Sequence, residues 1–169
     1  YSAIPGGANL HRVVIGDIDA KTAQTFVPYG LDNSSFPEDL WQWLETTAES
    51  TGGTFLAIPH NSNISKGVMF DMTSLRGEKM DAQYAELRRY WEPIVEITQI
   101  KGDSEAHSSL SPDDPFADFE TYPFYIQSRW TEYKPQPGDY VRSALRRGLS
   151  LEADLGVNPY QFGVIGSTD

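Results

Sequence analysis

Imidazoles and carboxylates are the groups in this chain best suited to hold a metal ion or move a proton, and few are placed for it. Only three histidines occur, His11, His60 and His107, and each flanks an apolar run expected to be a strand. His60 follows Phe55-Leu56-Ala57-Ile58-Pro59, and the run 94–100 leads into Lys101, Glu105 and His107. The run 162–165 leads into Asp169. A parallel sheet gathers the C-terminal ends of its strands on one edge, so groups distant in sequence would converge there. Neutral imidazole with carboxylate suits Zn, Mn or Fe better than Ca or Mg, which prefer oxygen shells. His60 is the candidate metal ligand on this pattern. Glu96, inside a largely apolar run, would need a metal or a base beside it if its strand is dry.

Lys101 and Arg12 are the candidate anion holders, one a point charge and the other a bidentate fork. Each could equally serve a surface ion pair. Lys101 and Glu105 are the candidate catalytic side chains beside the reacting centre. Asn61 and Asn63 either bind substrate and orient ligands, or supply the turn chemistry that Asn favours. Gly102-Asp103-Ser104 is too short for a phosphate loop, and no nucleotide-binding glycine pattern occurs.

Periodicity indicates the elements that must position these groups. Strands are expected at 13–15, 55–58, 94–100 and 162–165, the last buried. Ser35 with Glu38 reads as a capping box, with Pro37 in the first turn of a helix showing Leu40, Trp41, Leu44 and Ala48 on one face. Gly52-Gly53 would end it. A second helix presents Met80, Tyr84, Leu87 and Trp91 and stops before Pro93. A third starts near Asp139, with Gly156 as its cap. Helix and strand alternate, the pattern of parallel βα units. Residues 108–138 interrupt it with proline, aspartate and seven aromatic residues, an insertion of the length that lids and docking segments have.

The bulk properties narrow the classes of function. One domain suits 169 residues, although a complete eight-unit barrel takes about 250. A net charge of -11 argues against nucleic acid or an anionic membrane as partner. The absence of cysteine excludes disulfides, thiolate zinc sites and a cysteine nucleophile. No apolar run approaches the roughly 18 residues of a membrane span.

Several blocks resemble one bacterial domain-of-unknown-function family whose members are similar to the PHP (polymerase and histidinol phosphatase) metal-dependent hydrolases. They are Gly7-Ala8-Asn9-Leu10-His11-Arg12, Pro37-Glu38-Asp39-Leu40-Trp41, Ala57-Ile58-Pro59-His60-Asn61-Ser62-Asn63, Lys101-Gly102-Asp103-Ser104-Glu105 and Gly163-Val164-Ile165-Gly166-Ser167-Thr168-Asp169. The resemblance implies a distorted TIM-like barrel of the PHP type, of which residues 1–169 are a part, with two or three divalent metals (Zn, Mn or Fe). It implies metal ligands at His60 and Asp169, with His107 or Glu105 and Glu96 as further ones. It implies a substrate-side pair in His11 and Arg12, and phosphoester hydrolysis of a small anionic substrate. Family members carry upstream His-x-His and Asp-His blocks and a closing histidine that these residues lack. The expectation is therefore an incomplete chain, inactive alone, whose sheet edges another segment or chain must cover. Signal peptides in the family favour an extracytoplasmic location over a cytoplasmic one. The competing expectations are a non-catalytic binding or scaffolding module on the same fold, or hydrolysis of a sulfate ester, amide or carboxylic ester.

Overall fold

The computed structural model describes residues 1–126 and 130–168. Its elements are β1 (Ser2–Ala3), β2 (Leu10–Asp17), α1 (Ala20–Ala23), α2 (Pro37–Thr51), β3 (Thr54–His60), α3 (Ala82–Trp91), β4 (Ile94–Glu96), α4 (Val141–Leu155) and β5 (Gly163–Ile165). The fold is mixed α/β with two small sheets.

The helices start and stop for local reasons. In α2, Pro37 needs no hydrogen-bond acceptor for its nitrogen, and Glu38 and Asp39 meet the positive end of the helix dipole. The expected capping box at Ser35 does not form. Ser34 acts instead, its hydroxyl accepting from the Phe36 N–H and donating to Asp39. Gly52 ends α2 in the left-handed region at φ 70°, a conformation that favours glycine. Asp81 caps α3 by accepting from the Tyr84 N–H at 2.8 Å. Gly156 closes α4 at φ 77°, so that helix runs on through Gly148 to Leu155.

Strand direction departs from expectation. β1, β2 and β3 form an antiparallel sheet, with β2 facing β3 from His11 opposite His60 to Asp17 opposite Thr54. Only β4 and β5 are parallel, with Glu96 opposite Ile165. Apolar alternation locates a strand but carries no sign for its direction. The run 94–100 is strand only to Glu96, and the chain then turns at Gly102, φ 89°. β5 is three residues long and Val164 is 54% exposed, so it is not the buried strand expected. No closed barrel forms among the described residues.

Two apolar clusters make the interior. One gathers Leu10, Met69, Phe70, Val95, Val141 and Tyr160, and the other packs Leu40, Trp41, Leu44, Ala57 and Trp91. Buried charges lie in the same interior. Glu92, where α3 ends, meets Arg12 of β2 at 2.9 Å and Arg88 at 3.2 Å, and accepts from the Trp41 indole at 3.0 Å. Burial favours the neutral acid, but the two guanidinium groups outweigh it and hold the Glu92 carboxyl below its usual range.

The described part of the insertion is turns and irregular chain. It leaves Phe116, Phe119 and Trp130 largely exposed. Tyr133 ties it to the body by donating to the Asn63 carbonyl at 3.2 Å and hydrogen bonding to Tyr140.

Candidate functional site

The antiparallel register of β2 and β3 brings two histidines together. His11 lies directly opposite His60, on the same side of the sheet, with ring centroids 5.6 Å apart. The sequence places them 49 positions apart, and only the ladder makes them neighbours. Alternation along β2 sends Arg12 to the opposite face, where Glu92 and Trp41 surround it. His11 and Arg12 therefore do not act on one ligand as a pair.

Hydrogen bonds assign the ring nitrogens. His60 Nδ1 lies 3.5 Å from the Ile58 carbonyl, and a carbonyl can only accept. Nδ1 is thus the protonated nitrogen of neutral His60, the tautomer in which Nε2 carries the lone pair. His11 Nδ1 is 3.0 Å from the Ser2 hydroxyl, and Nε2 is 3.3 Å from Asn9 Oδ1. Nε2–H of His11 donates to that amide oxygen.

The loop after β3 turns sharply, with Asn61 in the left-handed region at φ 60° and a 3-10 turn at Ser62–Ile64. Asn63 is wholly committed. Its Nδ2 donates to the Lys101 carbonyl at 2.8 Å, and its Oδ1 accepts from Gln99 and from the Ser104 hydroxyl, each at 3.1 Å. It bolts this loop to the 97–104 turn. The Asn61 side-chain oxygen, the Ser62 hydroxyl and Gln99 Oε1 are buried without a hydrogen-bond partner among the described residues. Gln99, Ser104 and Ser62 are not among the candidate site residues that the sequence offers. The one signal for them was the density of small polar residues just after apolar runs.

The remaining candidates disperse. Glu96 is buried, and its carboxylate accepts from the Thr98 N–H at 2.9 Å and from the Ser167 hydroxyl at 2.6 Å. Asp169 lies outside the described residues. His107 packs against the rings of Tyr140 and Tyr133 at 5.5 and 6.2 Å, and burial lowers its pKa. The Ser109 N–H donates to its Nδ1, which fixes the other nitrogen as the protonated one in the neutral ring. Glu105 is exposed and paired with Arg142 at 2.7 Å. Lys101 joins the polar loop network through its carbonyl oxygen.

A second polar group joins the candidate Glu105 to Asp103, Asp114, Glu120 and Arg142, which line a cavity of about 240 Å³. Burial pushes the Asp103 carboxyl up to about 6, with Glu105 and Glu120 adding to the rise against two backbone N–H donors.

Two imidazoles sharing one tetrahedral cation place their ring centroids roughly 5 Å apart, given nitrogen–metal distances of about 2.0–2.1 Å. The 5.6 Å between His11 and His60 is close to that spacing, although both His11 nitrogens are hydrogen-bonded, to Ser2 and Asn9. No group of three His, Cys, Asp or Glu side chains converges among the described residues, so the fit covers half a ligand set. No described helix is long and apolar enough to cross a membrane.

A family model matches the chain over residues 1–169, that of a protein of unknown function (DUF3604). No curated protein and no solved structure matches it.

Proposed function

This chain belongs to the DUF3604 family, and from that premise we propose that it carries part of the site of a metal-dependent hydrolase acting on small phosphoesters. The observation that carries the reading is the cross-strand pair His11 and His60, 5.6 Å apart, beside a loop holding buried, unpartnered Asn61 and Ser62 oxygens. His60 would hold the metal through Nε2, with its Nδ1–H directed at the Ile58 carbonyl, 3.5 Å away, to orient the ring. His11, bridged between Ser2 and Asn9, serves the substrate side and can join as a ligand by releasing Asn9. A bound divalent cation supplies water of lowered pKa, from 15.7 towards ~7, and Lewis-acid charge for the developing oxyanion.

The chain's own residues perform the rest. The Ser62 hydroxyl can donate to a substrate oxygen and the Asn61 amide oxygen can accept from a substrate or water O–H, while Asn63, tied to Gln99, Lys101 and Ser104, links the loop to the 97–104 turn. His107, Glu105, Lys101 and Asp169 remain candidates for the other ligands and for proton transfer. A distorted barrel of the PHP type belongs to the same proposal, and the parallel pairing of β4 with β5 is the feature that supports it.

The test is metal analysis and phosphoester hydrolysis by the protein supplied with Zn, Mn or Fe, alongside His60→Gln. Stoichiometric metal lost in the variant, with turnover falling at least tenfold, is the expected result. Neither metal nor turnover in the parent protein overturns it.

A second reading has its own observation. Glu96 and Asn63 spend their side chains on holding loops, and no third ligand converges among the described residues. A module that binds a polar ligand without turning it over fits those facts, and the same assay separates the two.

A further inference from the structure

We propose that Ser2, His11 and Asn9 are the nucleophile, general base and orienting group of a second activity, the hydrolysis of activated carboxylic esters. This inference goes beyond the phosphoester reading, and neither His60 nor a cation takes part in it.

The ladder brings the three side chains together. Ser2 of β1 lies directly opposite His11 of β2. Beside them, the Tyr1 nitrogen donates to the Arg12 carbonyl at 3.0 Å and the Tyr1 carbonyl accepts from the Arg12 N–H at 2.9 Å. The position after such an exchange is a non-hydrogen-bonded pair, in which facing side chains come closest. From there the short serine side chain meets the ring, its Oγ 3.0 Å from His11 Nδ1. Asn9 stands two residues before His11, and its Oδ1 is 3.3 Å from Nε2. Asn9 is 4% exposed, and its N–H donates to the Ile64 carbonyl at 3.2 Å. The loop after β3 thus anchors the orienting group.

Donor chemistry fixes the direction of these bonds. An amide oxygen only accepts, so neutral His11 carries its proton on Nε2. Nδ1 then presents its lone pair to the Ser2 hydroxyl, which donates. A nucleophile on its base, and the base on an orienting acceptor, is the arrangement of nucleophilic hydrolysis. Here the two ring nitrogens exchange their usual places, and an asparagine oxygen holds the ring as it does in Cys-His-Asn sites. Ser2 is exposed and His11 half-buried, so an acyl group can reach Oγ while the base is sheltered.

The reaction balances within these groups and water. Ser2 Oγ attacks the acyl carbon as its proton passes to His11 Nδ1. The bond to the leaving oxygen breaks, and that oxygen takes the proton from Nδ1. Water then attacks the acyl-serine carbon, giving a proton to Nδ1, and the bond to Oγ breaks as Ser2 recovers a proton. Ester and water become acid and alcohol with no change of oxidation state. Through both halves Nε2–H stays on Asn9 Oδ1. Nucleophile and base are what this trio supplies, and that suits acyl donors with a good leaving group, aryl esters ahead of alkyl esters and amides.

The test treats the protein with an alkyl fluorophosphonate and with p-nitrophenyl acetate, both in EDTA, which silences a metal-dependent phosphoesterase. Mass spectrometry is expected to find the label on Ser2, absent in Ser2→Ala, with ester turnover lost alongside it. In His11→Gln labelling should slow about 100-fold, within the usual range of general-base assistance. Asn9→Asp keeps the acceptor and should retain labelling, whereas Asn9→Leu should lose it, with the His11 nitrogen shifts in NMR reporting loss of the Nε2–H tautomer. Ser2→Ala sits at an exposed position, so its result does not depend on how the buried Asn9 variants fold. No label on Ser2, labelling equally fast in urea-unfolded protein, or labelling unchanged in His11→Gln overturns the proposal. Phosphoester turnover on added metal with Ser2 unlabelled overturns it too, and leaves the metal-dependent reading standing.

Discussion

Glu96 on β4 accepts both the backbone N–H of Ser167, at 3.0 Å, and its hydroxyl, at 2.6 Å. A buried carboxylate thereby fastens the turn that leaves β5, next to the parallel pair Glu96 opposite Ile165. In Glu96→Gln the amide presents a donor where two donors already point. Hydrogen bonds to a charged group contribute about 1.5–3 kcal/mol, and a loss of that order is expected in urea unfolding. A change below about 0.5 kcal/mol, the scale of a neutral surface substitution, would show that the contact is not holding the turn.

The Arg12, Glu92 and Arg88 group makes two predictions in one. Breaking a buried ion pair by removing one partner costs about 3–5 kcal/mol, so Glu92→Gln is expected to lower stability by that order. Because the folded pKa of Glu92 lies below its ordinary value of 4.5, its contribution is present above that value and disappears as pH falls through the depressed folded value. Acid unfolding of the parent protein should therefore show a slope that Glu92→Gln lacks. Identical acid profiles would contradict the assignment.

Asp139 has the opposite sign. Burial raises its carboxyl to about 7, against the lowering effect of the Gly67 and Gln136 N–H groups and the Ser65 hydroxyl. A raised folded pKa means stability that is full below the unfolded value of 3.8 and is lost as pH rises through about 7. Tm is expected to decline between pH 5 and pH 7.5, and Asp139→Asn should flatten that decline while lowering Tm at pH 5. A variant retaining the full decline would assign it to another group.

His107 should titrate below the ordinary histidine value of 6.5, since burial lowers its pKa. Its contribution to stability is complete above 6.5 and falls as the ring is forced to protonate. The ring-proton shifts followed by NMR check this, and a midpoint at or above 6.5 would mean that the Tyr133 and Tyr140 packing does not hold in solution.

Gly138 lets the chain before α4 approach the loop at Gly67. A Cβ there would lie 1.7 Å from the Gly67 carbonyl oxygen, which is backbone and has little room to yield. Gly138→Ala is expected to destabilise by about 1–3 kcal/mol or more, the range for forced overpacking. A Tm equal to that of the parent would show that the approach is looser.

Local physics made much of the fold readable. The apolar stripe of α2 and its glycine stop, the halt of α3 before Pro93, and the Gly156 cap of α4 each depend on residues within a few positions of one another. At the start of α2 it is Ser34, one residue before the expected Ser35, whose hydroxyl accepts from the Phe36 N–H and donates to Asp39. Strand 94–100 was read too long, because its apolar content continues past the point where Ile97 accepts from Ser104 and the ladder ends.

The candidate site was legible only in part. His60 at the end of an apolar run was visible as a chemical outlier, and so were the asparagines beside it. Its neighbour across the sheet was not, since pairing His11 with His60 requires β2 and β3 to run antiparallel in one particular register. A shift of one residue would have turned His11 and Arg12 to exchanged faces. By itself the sequence determined where helices and strands lie, which faces are apolar and which residue types could carry chemistry, because those properties are set by short-range periodicity. The tertiary structure alone decided strand direction, the pairing of His11 with His60 and the use of Glu96 as a clamp, because these arise from contacts between segments tens of residues apart.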